Sequence, residues 1–381
     1  MKRLYTETKK IIGPKKSLTF IKYLVGQPKR RALLSYLKDP LLQEMNKTYT
    51  TQFSNNGAGR TWGKVLNLLG YEVDVVDWDD KKFRPGRKYD LIIVHGGKNY
   101  MNLLPALKDN GKIIYYSTGS YWRYHNEHEE LRFSEFTMRN KYKLSQDRHI
   151  DDNEEAINQR ANAIISLGNK DTAATYASFK NVYSIEAAGY PTGMSITRNY
   201  DDTRRHFLFL SGPGNIHKGL DIIIEAFREL PELHLHVVTT LNEDFEDYYR
   251  DDLYDNSNIH TYGYIPQRSV LFYAVVRQCS YSVLLSCSEG SPGSVIESIQ
   301  QGLIPIVTKE SHIDVPNHGV ILDGATIHKL KKALIKSSTK SGKEVAAATE
   351  SVIAYGEKQF AIARFEQELS MIIADVQRDD S

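Results

Sequence analysis

The chain is predicted to be an α/β protein of two Rossmann-like domains facing each other across a cleft. Three observations predict this. Its 381 residues exceed the roughly 250–300 at which single cores stop growing. Short apolar runs alternate twice over with stretches of helical periodicity, which implies right-handed βαβ units and parallel sheets. Between the two series lies a polar, turn-rich stretch at 190–205 (YPTGMSITRNYDDTRR), the natural boundary.

The elements follow in order. Residues 1–45 stand apart as a basic extension, with eleven Lys/Arg and one Glu up to Lys38. The first domain, 46–195, opens on a strand at 47–53, a turn-rich loop SNNGAG at 54–59, and a helix at 60–69 that stops at Gly70. Strands are predicted at 71–76, 90–94, 112–116, 163–166 and 182–185, with helices at 99–107, 126–142, 153–161 and 170–178. The run at 90–94 is continuously apolar, as a strand buried on both faces would be. The second domain, 196–345, restarts the alternation: strands at 207–210, 233–239, 258–262, 281–286, 304–308 and 320–323, helices at 218–230, 268–277, 294–301 and 326–337. A helical stretch at 343–379 closes the chain, and its last part, 346–381, is expected to cross back to the first domain.

Composition narrows the function classes. A net charge of +2 gives no ground for nucleic-acid binding, and 41% apolar residues suffice for ordinary cores. Cys279 and Cys287 are the two cysteines, too few for a disulfide framework or a cysteine-rich metal site. A reducing, cytoplasmic setting is expected. No apolar run reaches the roughly 18 residues of a spanning helix, so at most the protein sits peripherally on the inner face of a membrane.

In doubly wound folds, ligands bind beyond the carboxyl ends of the strands, so the strand-to-helix loops carry the chemistry. One such loop is Glu289-Gly-Ser-Pro-Gly-Ser-Val-Ile-Glu297, entered from an apolar strand and left by a helix. Gly290 and Gly293 allow close backbone approach, Ser291 and Ser294 are small, and the helix start offers amides to an anion. One carboxylate suits a sugar hydroxyl and the other a ribose, although a solvated Glu289 and a helix-supporting Glu297 fit the spacing equally. The other loop is Ser211-Gly-Pro-Gly-Asn-Ile-His-Lys-Gly219, with Gly212 and Gly214 as small residues and Lys218 as a cation near a helix start. It lacks the Gly-Lys-Ser/Thr order of a Walker loop.

These pieces, with NIHTYGYIP between them, resemble the retaining GT-B glycosyltransferases of family 4, over about 200–325. The first domain resembles them more loosely, through GYEVDVVD and ANAIISLGN. The resemblance implies metal-free transfer, with no cofactor beyond a nucleoside-diphosphate sugar as co-substrate and with a glycan or lipid-linked acceptor. It implies catalytic roles for Lys218 at the diphosphate and Glu289 at the donor sugar. Tyr264 and Ile265 would line the base, Gly290 to Ser294 would give amides to sugar and phosphate, and Glu297 would hold the ribose.

The chain departs from the family in three places. Pro213 stands where the family has an Arg, and Arg60 is a candidate replacement. Ser291-Pro-Gly-Ser294 replaces the usual Phe-Gly-Leu-Pro. Tyr121 stands near the family's first-domain His, with His125 or His95 as substitutes, or as plain structural histidines. Gly57, Gly59, Arg60 and Ser120 are read as an acceptor or phosphate region of the first domain. Asp77-Trp-Asp79 resembles the metal-binding Asp-x-Asp of a different transferase fold, but a solvated acidic loop is the better reading, and no metal site is assigned. His234 and His236 alternate along a strand and read as strand-face residues. The basic extension, with Leu33, Leu34, Tyr36 and Leu37 among its apolar residues, is either a membrane-surface or acceptor-docking element or a helical extension packed on the first domain. Rival functions are a GT-B-type sugar-nucleotide epimerase and a degenerate sugar-nucleotide-binding module.

Overall fold

The computed structural model describes residues 18–20, 30–42, 54–146, 148–150, 154–190 and 196–378. Seven strands build the first sheet: β1 (Leu18–Phe20), β2 (Arg30–Tyr36), β3 (Tyr71–Asp77), β4 (Tyr89–Val94), β5 (Leu107–Ser117), β6 (Ala163–Leu167) and β7 (Val182–Ile185). Their order is β1-β3-β2-β4-β5-β6-β7, parallel except for β1, which runs antiparallel to β3. Six parallel strands build the second: β8 (His206–Leu210), β9 (His234–Val238), β10 (Ile259–Gly263), β11 (Tyr281–Leu284), β12 (Ile304–Thr308) and β13 (Val320–Leu322), in the order β10-β9-β8-β11-β12-β13. The second chain order reverses between β8 and β11, so the crevice of that sheet opens between the loops that follow these two strands.

The start of the first domain differs from the sequence expectation. The strand expected at 47–53 lies outside the described residues. Instead β2, placed by sequence in the basic extension, is a central strand between β3 and β4. Ala32, Leu33, Leu34, Ser35 and Tyr36 are all buried, so a run read as amphipathic is a strand covered on both faces. Its charges are engaged too: Arg31 pairs with Glu72 at 3.1 Å, Lys38 with Asp77 at 3.4 Å, and the Arg30 guanidinium lies over the Tyr71 ring. Residues 30–42 therefore belong to the first domain and not to the extension.

A second correction concerns SNNGAG, which is helix and not loop: the helix runs Ser54–Leu68. Glycine inside a helix costs about 1 kcal/mol against Ala, and close neighbours explain its presence here. A Cβ on Gly57 would fall on the Tyr190 ring. The helices Glu243–Tyr248 and Arg250–Tyr254 follow β9 where no element was expected.

Two helices join the domains. Trp122–Asn140 of the first lies along Leu220–Arg228 of the second. Arg139 donates to Asp221 (2.5 Å) and Glu225 (2.7 Å), and Asn140 to Glu225 (3.1 Å). Leu220–Arg228 is buried over nearly its whole circumference, as a helix between a sheet and another domain must be. The closing stretch is two helices, Gly342–Gln359 and Ile362–Arg378. The last one buries Phe365, Leu369, Ile372, Ile373 and Val376 as one stripe against the first domain. Glu366 there meets Lys64 at 2.6 Å, and Asp375 meets Tyr183 at 2.6 Å.

Candidate functional site

A cavity of about 290 Å³ opens between the domains, beyond the carboxyl ends of β8, β9, β10 and β11. Backbone pairing builds its floor. Leu285 N donates to Lys218 O (3.2 Å) and Cys287 N to His217 O (3.0 Å), so the chain after β11 runs beside the loop after β8. That register sets Lys218 Nζ against Glu289 Oε1 in a buried ion pair, and Ser286 Oγ adds a hydrogen bond to the same oxygen at 3.2 Å. Burial pushes the Glu289 carboxyl up, but the Lys218 ammonium and the Arg148 guanidinium near it outweigh this and hold it down at about 2. Glu289 is therefore a fixed anion.

The second carboxylate is also held. Glu297 lies within the helix Gly293–Gln300 and accepts from Arg268 Nη2 (2.8 Å), Arg268 Nε (3.3 Å) and Gln301 Nε2 (2.9 Å). Arg268 also donates to the Tyr190 carbonyl, which ties the pair to the first domain. Both glutamates face the cavity with Lys218, Arg148 and Arg268 as cations around them.

Of the residues singled out from sequence, Gly212, Lys218, Tyr264, Ile265, Glu289, Gly293, Ser294 and Glu297 line this one cavity. Gly214, Gly290 and Ser291 sit beside it with other work. A Cβ on Gly290 would lie 2.3 Å from the Leu167 carbonyl oxygen and 2.7 Å from Gly119 Cα, so this glycine lets the domains touch. Ser291 has a φ of +52°, a conformation uncommon outside glycine, and its Oγ accepts from Ala187 N at 3.0 Å. Ser120 also bridges the domains, donating to Glu289 O at 2.9 Å and meeting His312 Nδ1 at 3.0 Å. Gly57, Gly59 and Arg60 belong to the Ser54–Leu68 helix, off the cavity wall. Tyr121 is off it too, bonded to Glu155 at 2.5 Å.

His125 lies behind the wall, not on it. Its Nε2 donates to the Arg148 carbonyl at 2.7 Å, and its ring packs 4.8 Å from that of His217. Burial keeps both imidazoles neutral, His217 more strongly. His217 Nε2 donates to Ser288 O at 2.7 Å. His125, His217 and Glu129 offer ligand atoms within 4.8 Å of one another. Each ring nevertheless gives a proton to a carbonyl, and Glu129 Oε1 accepts from Arg148 N at 3.0 Å. Arg132, donating to Leu285 O at 3.0 Å, and Lys218 add positive charge beside them. This chemistry suits a polar lock better than a cation site.

The other flagged groups are structural. His95 is half-buried, bonded through Nδ1 to Tyr116 O at 3.0 Å and set edge-on to Tyr36 and Trp78. Asp77 holds Lys38 at the end of β3. His234 and His236 join His206 and His260 in a stack of imidazoles on one face of the second sheet. Sequence reasoning missed Arg148, Tyr190 and Arg268. Arg268 was within reach of it, three residues after Ile265; Arg148 sits in a loop with no motif.

No protein-family model and no curated protein sequence matches the chain. Solved structures match its fold. Sucrose-phosphate synthase from Thermosynechococcus elongatus aligns with a TM-score of 0.63 at 13% identity, over 92% of this chain and 99% of that one. The Anabaena protein HepE, solved with UDP and glucose, aligns at 0.58 and 13%, over 91% and 100%. TarM aligns at 0.54 and 12%, over 76% of this chain and 55% of its own, so the chain spans about half of that protein. The chain has the GT-B fold. In GT-B terms the cavity is the interdomain cleft, with the β8 and β11 loops on one wall and Ala188, Gly189, Tyr190 and Arg148 on the other.

Proposed function

We propose that this GT-B protein transfers a sugar from a nucleoside-diphosphate sugar, of the UDP type, to a glycan or lipid-linked acceptor with retention at the anomeric carbon. The observation that carries the reading is the convergence of Lys218, Glu289, Glu297 and the Gly293–Gln300 helix start on one interdomain cavity. A diphosphate placed there meets Lys218 and free helix amides, which stabilise the negative charge that develops as the glycosidic bond breaks. Glu289, fixed as an anion, accepts hydroxyl hydrogens of the donor sugar and orients it. Glu297 accepts from the ribose on the same wall as Tyr264 and Ile265, which suit a base. The cations lining the cavity serve the leaving group without a metal ion. The basic and apolar residues interleaved before β2, those of β1 aside, would attach the protein to a membrane surface.

A thermal-shift screen against UDP-, GDP-, ADP- and dTDP-sugars tests the donor class, followed by product analysis with and without glycan acceptors. Stabilisation by UDP-sugars, followed by acceptor-dependent release of UDP and an unchanged anomeric configuration by NMR, is the expected result. Interconversion of the donor sugar without acceptor would make the protein an epimerase. Stabilisation without turnover on any acceptor would make it a binding module.

A further inference from the structure

The loop after β8 offers Gly212 and Pro213, neither a cation, on the wall that a diphosphate would face, with Gly214 just beside it. Arg148 of the first domain comes into that gap. Its side chain lines the cavity with Lys218 and Glu289. A Cβ on Gly214 would lie 3.0 Å from both Cγ and Cδ of Arg148, so the arginine stem crosses the loop where no side chain stands. Gly214 has a φ of +101°, which disfavours any side chain there on backbone grounds as well.

The side chain of Arg148 is exposed, but its backbone is fixed from the Trp122–Asn140 helix. His125 Nε2 donates to Arg148 O at 2.7 Å, and Arg148 N donates to Glu129 Oε1 at 3.0 Å. Two residues on, Asn126 brackets Ile150, accepting from its N and donating to its O, both at 2.9 Å. His125, Asn126 and Glu129 are 6%, 7% and 1% exposed. Burying three polar side chains is unfavourable unless their hydrogen bonds are made. Here those bonds serve one loop, and what that loop presents to the cavity is Arg148.

We propose that Arg148 is a diphosphate-binding residue supplied by the first domain, and that His125 and Glu129 are its positioning residues. The inference rests on the donor-site reading above. Nucleotide binding would then draw on both domains: Lys218 and the helix start from one, a guanidinium from the other. An arginine suits this place because its planar fork can donate two hydrogen bonds to a phosphate group. It also gives His125 a role through Arg148 and not at the donor sugar.

Calorimetric titration of the full chain with inorganic pyrophosphate, UDP and uridine tests this. Arg148→Ala is expected to weaken pyrophosphate and UDP about 10- to 100-fold and uridine little, while Arg148→Lys recovers part of the loss. Lys180→Ala, which removes an exposed charge elsewhere, is the control. His125→Ala is expected to weaken pyrophosphate in the wild-type background and to add little to Arg148→Ala, because coupled residues are not additive. Unchanged pyrophosphate affinity in Arg148→Ala, with binding lost in Lys218→Ala, overturns the proposal and leaves the donor site standing. A full His125→Ala effect in the Arg148→Ala background overturns the positioning role. If the wild-type chain binds none of the three probes, the donor site itself is wrong and the proposal falls with it.

Discussion

Lys218 and Glu289 stand 71 residues apart in sequence and form the ion pair at the centre of the cleft. The pair joins the loop after β8 to the loop after β11, and its carboxylate stays ionised despite burial. Two of the groups proposed to act on the donor are thus aimed by each other.

The two glutamates should therefore fail differently. Glu289→Gln keeps the shape but loses the charge facing Lys218, and should lower kcat about 100-fold with a small change in KM, as an interaction made mainly in the transition state does. Glu297→Gln should weaken UDP binding tenfold or more, because Arg268 then lacks its bidentate partner. Steady-state kinetics and UDP titration check both, and unchanged values in both variants would falsify the site.

Gly290→Ala is expected to part the domains. The added methyl would meet the Leu167 carbonyl and Gly119 backbone, which cannot swing away as a flexible side chain can. Small-angle scattering should show a larger radius of gyration, and donor affinity should fall with it. A compact variant with wild-type affinity would mean that the interface yields at little cost.

Arg139→Ala should destabilise the fold by about 3–5 kcal/mol, the cost of stranding a buried charge. Asp221 is fully buried and Arg139 is its partner at 2.5 Å, with Glu225 sharing the guanidinium. Denaturant unfolding measures this. A loss under about 1 kcal/mol would show that water or Arg132 compensates.

Acid should unfold the second domain through its imidazole stack. Burial and the neighbouring imidazoles lower His206 from 6.5 to about 4 and His236 to about 3. These rings are neutral in the fold and take up protons on unfolding, so their contribution is whole above pH 6.5 and drains as the pH falls toward 4. The melting temperature is expected to drop several degrees from pH 7 to 5, and a His206→Asn, His260→Asn variant should flatten that slope. His95, His125 and His217 are shifted in the same direction, so the difference between variant and wild type is the decisive quantity.

Activity should survive EDTA. Lys218, Arg148 and Arg268 already line the cavity, and Asp77 is engaged with Lys38 away from it. If EDTA abolished transfer and Mn²⁺ restored it, the His125, Glu129 and His217 cluster would become the place to look.

Much of this molecule was legible in the chain alone. Periodicity of apolar residues located β3 to β13 within a residue or two except at β5, because burial on two faces or one leaves a direct mark on composition. Glu289, Lys218 and Glu297 could be singled out because they lie in, or in the first turns after, the loops that follow β8 and β11, where parallel sheets place ligands. Other features were decided only in three dimensions. Apolar residues in RRALLSY serve a membrane face or a central strand equally well, and only the pairing of β2 with β3 and β4 distinguishes them. The helix through SNNGAG sets Gly57 against the Tyr190 ring, a distant contact that leaves no local mark in the sequence. Arg148 carries no local signal at all. It reaches the cavity because His125 and Asn126, with Glu129 a turn further along the same first-domain helix, hold its loop against the second domain. Local pattern reports which face of an element is buried; which distant loop arrives beside it is set by how the two domains pack.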